Sequence, residues 1–330
     1  MKKYIIMTTI NTKSKGITLF EQMQDWHIIL IGDQKTPQIE SSDNLTFLSI
    51  NDQQELGYQL VEVCPYNHYT RKNIGYLYAI QQGADIIYDS DDDNSPYNHW
   101  EQPDFACNAK YVSNQIYVNI YRYFSEEKIW PRGFPLDEIL IPANTHIEKT
   151  PFVKVGVWQG LVNGDPDVDA IFRLTENKKI EFKAKPSVVL EKEYYCPFNS
   201  QNTFWNKKAF PFLYLPAKVS FRFTDILRGY IAQRLLWEND LHLGFMKAIV
   251  YQERNIHDLI RDFEEEIECY LNIKPIVNLL NSVNLKKDPL SNIETIYQTL
   301  LEHGFVKQEE LKTLRSWIAD LSKINNERNE

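Results

Sequence analysis

Four carboxylates, Asp89, Asp91, Asp92 and Asp93, crowd into five positions directly after the apolar run Ile86-Ile87-Tyr88. The run reads as a buried strand. Carboxylates at the end of such a strand repel one another unless something neutralises them. A hard divalent cation that takes oxygen ligands does so, and it also binds the phosphate oxygens of a substrate. The cluster therefore points to a metal-dependent enzyme acting on a diphosphate, with a nucleotide-sugar as the leading substrate. An acidic run is also what a solvated loop looks like, and the order of the neighbours separates the two readings. Residues 69–83 carry helical apolar spacing at Ile74, Leu77 and Tyr78, and Gly83 suits a helix end. Helix, glycine, buried strand and acid cluster then follow in sequence.

Alternate side chains of an extended segment share a face. On that pattern Asp91 and Asp93 point together and would hold Mn²⁺ or Mg²⁺, with the ribose as an alternative contact for Asp91. Asp92 would turn away into a cap or supporting role beside the nucleotide. Thr9, Asn11 and Asp33 fall at the ends of other expected strands, so separate segments would converge on one nucleotide-sugar crevice. Asp33 would bond a uracil or ribose, and Lys35 would meet a phosphate as a point charge. Arg71 and Asn73, in the first turns of the helix before the acids, suit a pyrophosphate or a base edge. Arg254 and His257 lie in a polar stripe with Gln252 and Asn255, where they would donate to the same phosphates, with ligation of the metal as the alternative for His257.

Asp225 is the candidate general base, placed between Arg222 and Arg228 at helical spacing among dense apolar residues. Flanking guanidiniums would keep it ionised, and a structural ion pair is the competing reading. Trp130 and Arg132, in the turn-rich Trp130-Pro-Arg-Gly-Phe-Pro135, join Arg222 and Arg228 as candidate acceptor or sugar contacts. So do Asp167 and Asp169 in Asn163-Gly-Asp-Pro-Asp-Val-Asp-Ala170. No Ser-His-Asp, His-Glu-x-x-His, Walker or Gly-x-Gly-x-x-Gly pattern occurs, which removes the common hydrolase, kinase and dehydrogenase readings.

These residues need a scaffold. At 330 residues and 43% hydrophobic, the chain can bury a large core. A net charge of −9 argues against binding a nucleic-acid backbone. Four scattered cysteines, with no Cys-x-x-Cys pair, fit a reducing compartment. No apolar stretch is long enough to span a bilayer, and a cytoplasmic location is expected.

The first third alternates strand and helix patterns: strands at Lys3 to Thr9, Trp26 to Ile31 and Thr46 to Ile50, helices at Ile17 to Gln24 and Gln53 to Val63. That rhythm predicts a mostly parallel sheet flanked by helices, an α/β fold. Further strands are expected at Phe152 to Leu161 and Ile180 to Leu190, and a helix at Thr224 to Trp237. Helical periodicity returns at Ile256 to Leu271, Ile293 to His303 and Gln308 to Ile324, with a capping box at Ser291-Asn-Ile-Glu294. The expected division is a catalytic domain over residues 1–257 and a C-terminal helical appendage over 258–330.

Several segments taken together resemble the STELLO-type glycosyltransferase-like proteins. They are Gly32-Asp-Gln-Lys-Thr-Pro37, Arg71-Lys-Asn-Ile-Gly75, Asp91-Asp-Asp-Asn94, Trp130-Pro-Arg-Gly-Phe-Pro135, Pro166-Asp-Val-Asp-Ala170, Asn199-Ser-Gln-Asn202 and Asp225-Ile-Leu-Arg-Gly-Tyr230, in that order. A weaker similarity runs to the reversibly glycosylated polypeptides, or UDP-arabinopyranose mutases. The resemblance covers roughly Lys3 to His257. It implies a GT-A fold with an Asp-x-Asp metal site and a nucleoside-diphosphate-sugar donor; the acceptor, whether glycan, lipid-linked or protein, stays open. Two rivals to an inverting glycosyltransferase remain: a sugar-nucleotide mutase, and a non-catalytic scaffold that binds a partner enzyme through the helical appendage.

Overall fold

The computed structural model describes residues 1–112, 115–142, 150–253 and 258–328. In chain order the elements begin with β1 (Lys3–Thr8), α1 (Lys15–Glu21), β2 (His27–Ile31), β3 (Leu45–Leu48), α2 (Ile50–Glu55) and α3 (Gln59–Val63). A 3₁₀ turn at Tyr69–Arg71 runs into α4 (Lys72–Gln81), followed by β4 (Ile86–Ser90), β5 (Asn94–Pro96), β6 (Ala106–Asn108), β7 (Lys110–Val112) and α5 (Ile120–Phe124). Next come β8 (Phe152–Gly164), α6 (Ala170–Thr175), β9 (Val188–Leu190), β10 (Asn202–Asn206), α7 (Thr224–Glu238) and β11 (His242–Gln252). Helices α8 (Leu259–Ser282), α9 (Pro289–Glu302) and α10 (Gln308–Glu327) complete the described chain.

The sheet runs β3-β2-β1-β4-β10-β8-β11-β9-β7, with β5 paired to β11 and β6 to β8. Strands β3, β2, β1 and β4 are mutually parallel. Strand β10 is antiparallel to both β4 and β8, and β8 is parallel to β11. It follows that β1, β2, β4, β8 and β11 all end at the same edge, while β10 begins there. This is an α/β architecture with a mixed, largely parallel sheet, consistent with a GT-A-like fold.

Alternation along each strand divides the core. Ile5 and Met7 of β1, Ile28 and Leu30 of β2, and Ile86 and Tyr88 of β4 face one apolar cluster with Phe20, Trp26 and Phe204. Ile6, Ile29, Ile31 and Ile87 face the other. That second cluster continues without a break through Ile74 and Ile80 of α4 and Leu227 of α7 to Ile273, Leu300 and Trp317. The C-terminal helices thus share their core with the sheet. The expected 257/258 boundary adjoins residues 254–257, outside the described residues.

Several expectations are corrected. The single helix at Gln53 to Val63 is two, because the chain turns at Gly57 with φ of +68°, a conformation glycine adopts without steric penalty. Of the strand at Ile180 to Leu190 only β9 forms, since Lys183, Lys185 and Pro186 interrupt it; Ile180 keeps one bridge to Gly164. The helix at Ser291 starts earlier: the Asp288 carboxylate accepts from the Ser291 N–H at 2.6 Å and Pro289 opens the first turn. A cap with proline behind it therefore replaces the capping box. Strands β10 and β11 were not expected. β10 is a short polar–aromatic segment, Asn-Thr-Phe-Trp-Asn, with no strand-like alternation, and β11 is a largely apolar, largely buried run whose periodicity does not separate strand from helix.

Candidate active site

A cleft of about 400 Å³ opens at the edge where β1, β2, β4, β8 and β11 end and β10 begins. Its wall includes Thr9, Asn11 and Asp33 from the first two of these strand ends, and Asp91, Asp92 and Asp93 from β4. The β8 end supplies Asp167, the approach to β10 supplies Asn199, Ser200 and Gln201, and Gln252 closes β11. Asp225, in the first turn of α7, joins them with Arg132 and Arg222. Sheet topology alone brings these distant segments together.

The acidic segment is a turn. β4 ends at Ser90, and the Asn94 N–H donates to the Asp91 carbonyl at 3.3 Å. The strand-like alternation expected for Asp91 to Asp93 therefore does not apply, and all three side chains line the cleft. Gly16 helps seat this turn: a Cβ there would collide with the Asn94 carbonyl oxygen, so only glycine lets α1 approach β5 so closely. Thr9 Oγ1 donates to Asp92 Oδ2 at 2.5 Å, tying the end of β1 to the turn. Gln252 Nε2 donates to Asp93 Oδ2 at 2.9 Å, tying in β11.

Beneath the turn sits a buried ammonium. Lys72 Nζ donates to Asp89 Oδ1 at 3.0 Å, Asp91 Oδ1 at 2.9 Å and the Ser200 carbonyl at 3.0 Å. Burial works against the Lys72 charge, but the two carboxylates more than offset it and hold its pKa above the usual lysine range. Asp89 also receives Tyr76 Oη at 2.7 Å and Arg228 Nη1 at 3.0 Å. One ammonium is thus divided between two acids. Asp91 keeps 39% of its side-chain exposure toward the cleft yet is ringed by protein. Burial, with Asp93 alongside, pushes its carboxyl up to about 7 despite Lys72. Asp93 is raised as well, again chiefly by burial.

These raised values mark a shortage of positive charge. Among the described residues Asp93 Oδ1 is buried with no hydrogen-bond partner, as is Gln201 Oε1 beside it in the Gln201–Gln252–Asp93 chain. Orphaned oxygen acceptors are costly in a native interior and are the donor type a hard divalent cation takes. Among the described residues no group of three or more His, Cys, Asp or Glu side chains is placed to hold a metal ion. The residues present suit a cation that takes further ligands from a bound substrate.

The second cluster surrounds Asp225. Its carboxylate accepts from Arg132 Nη2 at 3.1 and 3.2 Å, and from the Ser200 N–H and Oγ at 3.2 and 3.3 Å. Arg132 also grips Asp167 with Nε at 2.7 Å and Nη2 at 2.9 Å, and Asn199 Nδ2 donates to Asp167 at 2.8 Å. Burial would raise the Asp167 carboxyl, but the Arg132 guanidinium outweighs it and holds the pKa below the usual range. The guanidinium beside Asp225 is therefore that of Arg132. Its sequence neighbours turn elsewhere: Arg222 to Glu266 at 2.6 Å, Arg228 to Asp89. Positions 222, 225 and 228 sit one turn apart, yet helical spacing does not decide which partner each side chain finds.

Other expected site residues stand outside the cleft. Arg71 is fully buried, bonded to Gln53 and stacked on Tyr66 at 4.6 Å. Asn73 spends both ends of its amide on Leu215, at 2.8 Å each. Trp130 donates to Asp169 at 2.6 Å, and Asp169 caps α6 at the Phe172 N–H, so this pair braces the loops behind Arg132 and Asp167. Burial lifts the Asp169 carboxyl to about 6. Lys35 is exposed and does not line the cleft. Arg254 and His257 lie outside the described residues. Lys72, Asn199, Ser200 and Gln201 were missed as site residues. Lys72 and Tyr76 are one turn apart on α4 and both reach Asp89, a spacing the sequence does carry.

At the rim, Phe221 packs on His68 and Tyr69, with ring centroids 4.9 and 4.8 Å away. Burial and nearby Lys218 press the His68 pKa down to about 4, so its ring is neutral at pH 7. The Tyr69 hydroxyl accepts from the Asp225 N–H and donates to the Phe221 carbonyl, both at 3.2 Å. Ring surface for stacking thus adjoins the carboxylate cluster.

Comparison with known proteins adds an independent line. Residues 222–329 match the family model described as STELLO glycosyltransferases. The chain is 31% identical to "Probable glycosyltransferase STELLO1" of Arabidopsis thaliana, over 97% of this chain and 44% of that protein. It is 29% identical to "Probable glycosyltransferase STELLO2" of the same plant, again over 97% and 44%. The chain spans less than half the length of these relatives. The resemblance read from motifs stopped at His257, whereas the family match takes in the C-terminal helices as well. Among the described residues no helix is long and apolar enough to cross a membrane.

Proposed function

This chain is a relative of the STELLO glycosyltransferases, and from that premise we propose that it transfers a sugar from a nucleoside-diphosphate-sugar, with a UDP-sugar favoured, to an acceptor hydroxyl. One observation carries the reading: the acidic turn Asp91–Asp93 and the carboxylate of Asp225 open on the same cleft. Asp91 and Asp93 would hold Mn²⁺ or Mg²⁺, which supplies Lewis-acid neutralisation of the departing diphosphate. Thr9, Asn11, Asp33 and Asp92 line the side of the cleft suited to the nucleoside. Lys72 keeps Asp91 in place from beneath.

Asp225 is the candidate base for an inverting displacement. Arg132 and Ser200 fix its carboxylate, so the group is oriented before an acceptor arrives. Asp167, clamped by the same guanidinium, would accept a hydrogen bond from a sugar hydroxyl. Tyr69 and Phe221 offer ring faces to a pyranose or a base.

The test is transfer or hydrolysis across a panel of sugar nucleotides with Mn²⁺. Wild-type protein should consume a donor, and equally folded Asp93→Ala should not. Failure to bind any nucleoside diphosphate in a thermal-shift screen with Mn²⁺ would sink the reading. Conversion of donor alone into an isomeric sugar nucleotide would instead identify a mutase.

A further inference from the structure

Helix α8 is inside out over its first half. Its protein-facing positions carry Asp262, Glu266 and Cys269, all buried. The acids are met there by Arg222, whose Nε donates to Glu266 at 2.6 Å, and by the Ala170 N–H at 2.7 Å. The solvent face carries Ile260, Phe263, Ile267 and Leu271, exposed by 67, 37, 40 and 68%. Steps of three, four and four residues put these side chains on one stripe of the helix. In the second half the usual order returns, with Ile273, Ile276, Val277 and Leu280 buried. Single exposed apolar residues need no explanation, but a contiguous stripe marks an interaction surface. Covering it would recover roughly 25 cal/mol for every Å² removed from water.

Charge selects what covers it. Glu264 and Glu268 run along one edge of the stripe, both exposed. An antiparallel pairing of α8 with a second copy would set that acidic edge against itself. An anionic bilayer would be repelled by the same carboxylates and by a net charge of −9. We propose that this face docks an amphipathic helix of a partner protein whose apolar stripe is edged with lysine or arginine. The site adjoins the cleft: Glu268 accepts from the Ser220 N–H at 2.8 Å, Arg222 is held by Glu266, and Phe221 between them lines the cleft wall. A bound helix would sit beside the rim at which an acceptor enters. The proposal stands on the surface alone and does not depend on the reaction.

The full chain is titrated with three labelled synthetic peptides of equal length. One carries leucine at heptad spacing edged by lysine, one carries the same stripe edged by glutamate, and one is scrambled. The lysine-edged peptide should bind about tenfold or more tighter than the glutamate-edged one, a difference of about 1.4 kcal/mol. I267S/L271S should weaken it by a similar factor, and E264K/E268K should reverse the preference between the two edged peptides. All four positions are exposed, so an unchanged melting temperature verifies the fold. Equal binding of the three peptides, or none, overturns the proposal. So does concentration-dependent dimerisation that I267S/L271S abolishes, which would make a second copy the occupant. Co-sedimentation with phosphatidylcholine–phosphatidylglycerol vesicles, lost in the same variant, would make it a bilayer.

Discussion

The cleft floor and the last helix, α10, both bury carboxylates, and they satisfy them with different donors. Beneath the cleft, Asp89 meets Lys72 and Arg228, while Asp167 and Asp225 share Arg132. On α10, Glu310 accepts from the Ala217 and Lys218 N–H groups and from the Tyr214 hydroxyl, and Asp320 accepts from the Gln59 and Leu60 N–H groups. The first arrangement matches charge to charge in one small volume. The second uses an acid to fasten a loop or a helix start. Buried ion pairs are costly to assemble and costlier to break, because removing one partner strands the other. Backbone donors remain satisfiable by any acceptor of similar shape.

The widest separation between the two regions should come from Lys72→Met. It leaves Asp89 with Arg228 and Tyr76, but Asp91 with no cation, and should cost about 3–5 kcal/mol of unfolding free energy. Chemical denaturation measures this. The double variant Lys72→Met/Asp91→Asn should recover part of the loss; no recovery would mean that packing of the lysine stem, and not its charge, matters.

Asp93→Ala comes next, and it should divide stability from activity. Among the described residues its Oδ1 has no partner to lose and its Oδ2 only the Gln252 amide, so removing this crowded carboxylate should change the melting temperature without metal little. Turnover should drop by about 10²–10³, the scale for removing one group that stabilises transition-state charge. Nucleoside diphosphate with Mn²⁺ should no longer shift its melting curve. A variant that keeps both turnover and the shift would move the cation away from this turn.

The two regions also differ in how far the sequence discloses them. The β-α rhythm, the acid cluster after a buried strand and the helical end are all visible as composition and period. So is the convergence of Asn11, Asp33 and Asp91 to Asp93, because parallel strands send their ends to one edge. Pairings are not visible. Arg132 rather than Arg222 or Arg228 reaches Asp225 because a loop tens of residues upstream folds over the start of α7. Lys72 was passed over for its neighbours Arg71 and Asn73, although consecutive helical residues point about 100° apart and only one of the three faces the acids. Strand β11 hid in an apolar run of ambiguous period, and β10 in a short mixed segment with no alternation. Ion-pair choice is set by tertiary placement, whereas periodicity is local.

A smaller effect should come from acidity on α10. Burial lifts the Glu310 carboxyl from 4.5 to about 7 against the pull of its three donors. Between those values the folded protein keeps a proton that the unfolded chain has released. Stability should therefore be highest below pH 4.5, as far as this group is concerned, and fall by about 3 kcal/mol as pH rises to 7, since each tenfold difference in proton affinity between the folded and unfolded chain is worth about 1.4 kcal/mol. Above that it should be level. Urea melts of wild type and Glu310→Gln across this range isolate the slope, which should vanish in the variant. A variant curve parallel to wild type would assign the slope to other acids.

Asp320 should give the smallest loss and the sharpest contrast with the cleft. Its two oxygens take the Gln59 and Leu60 N–H groups at 2.9 and 2.8 Å, a cap supplied to α3 by a residue far along the chain. Both donors are neutral, so losing the charge alone costs little. Asp320→Ala should cost about 1 kcal/mol, in the range of a lost helix cap, and speed amide exchange at Gln59 and Leu60 before the rest of the fold. Asp320→Asn should restore part of that protection, because its single carbonyl oxygen still accepts from one of the two N–H groups. The same replacement at Asp89 should rescue much less: the amide oxygen faces only one of Lys72 and Arg228, its NH2 meets the other, which has only donors of its own, and the charge that matches both is gone. If asparagine were tolerated equally at both positions, the distinction between charge-matched and backbone-matched carboxylates would fail, and burial alone would set the cost in either place.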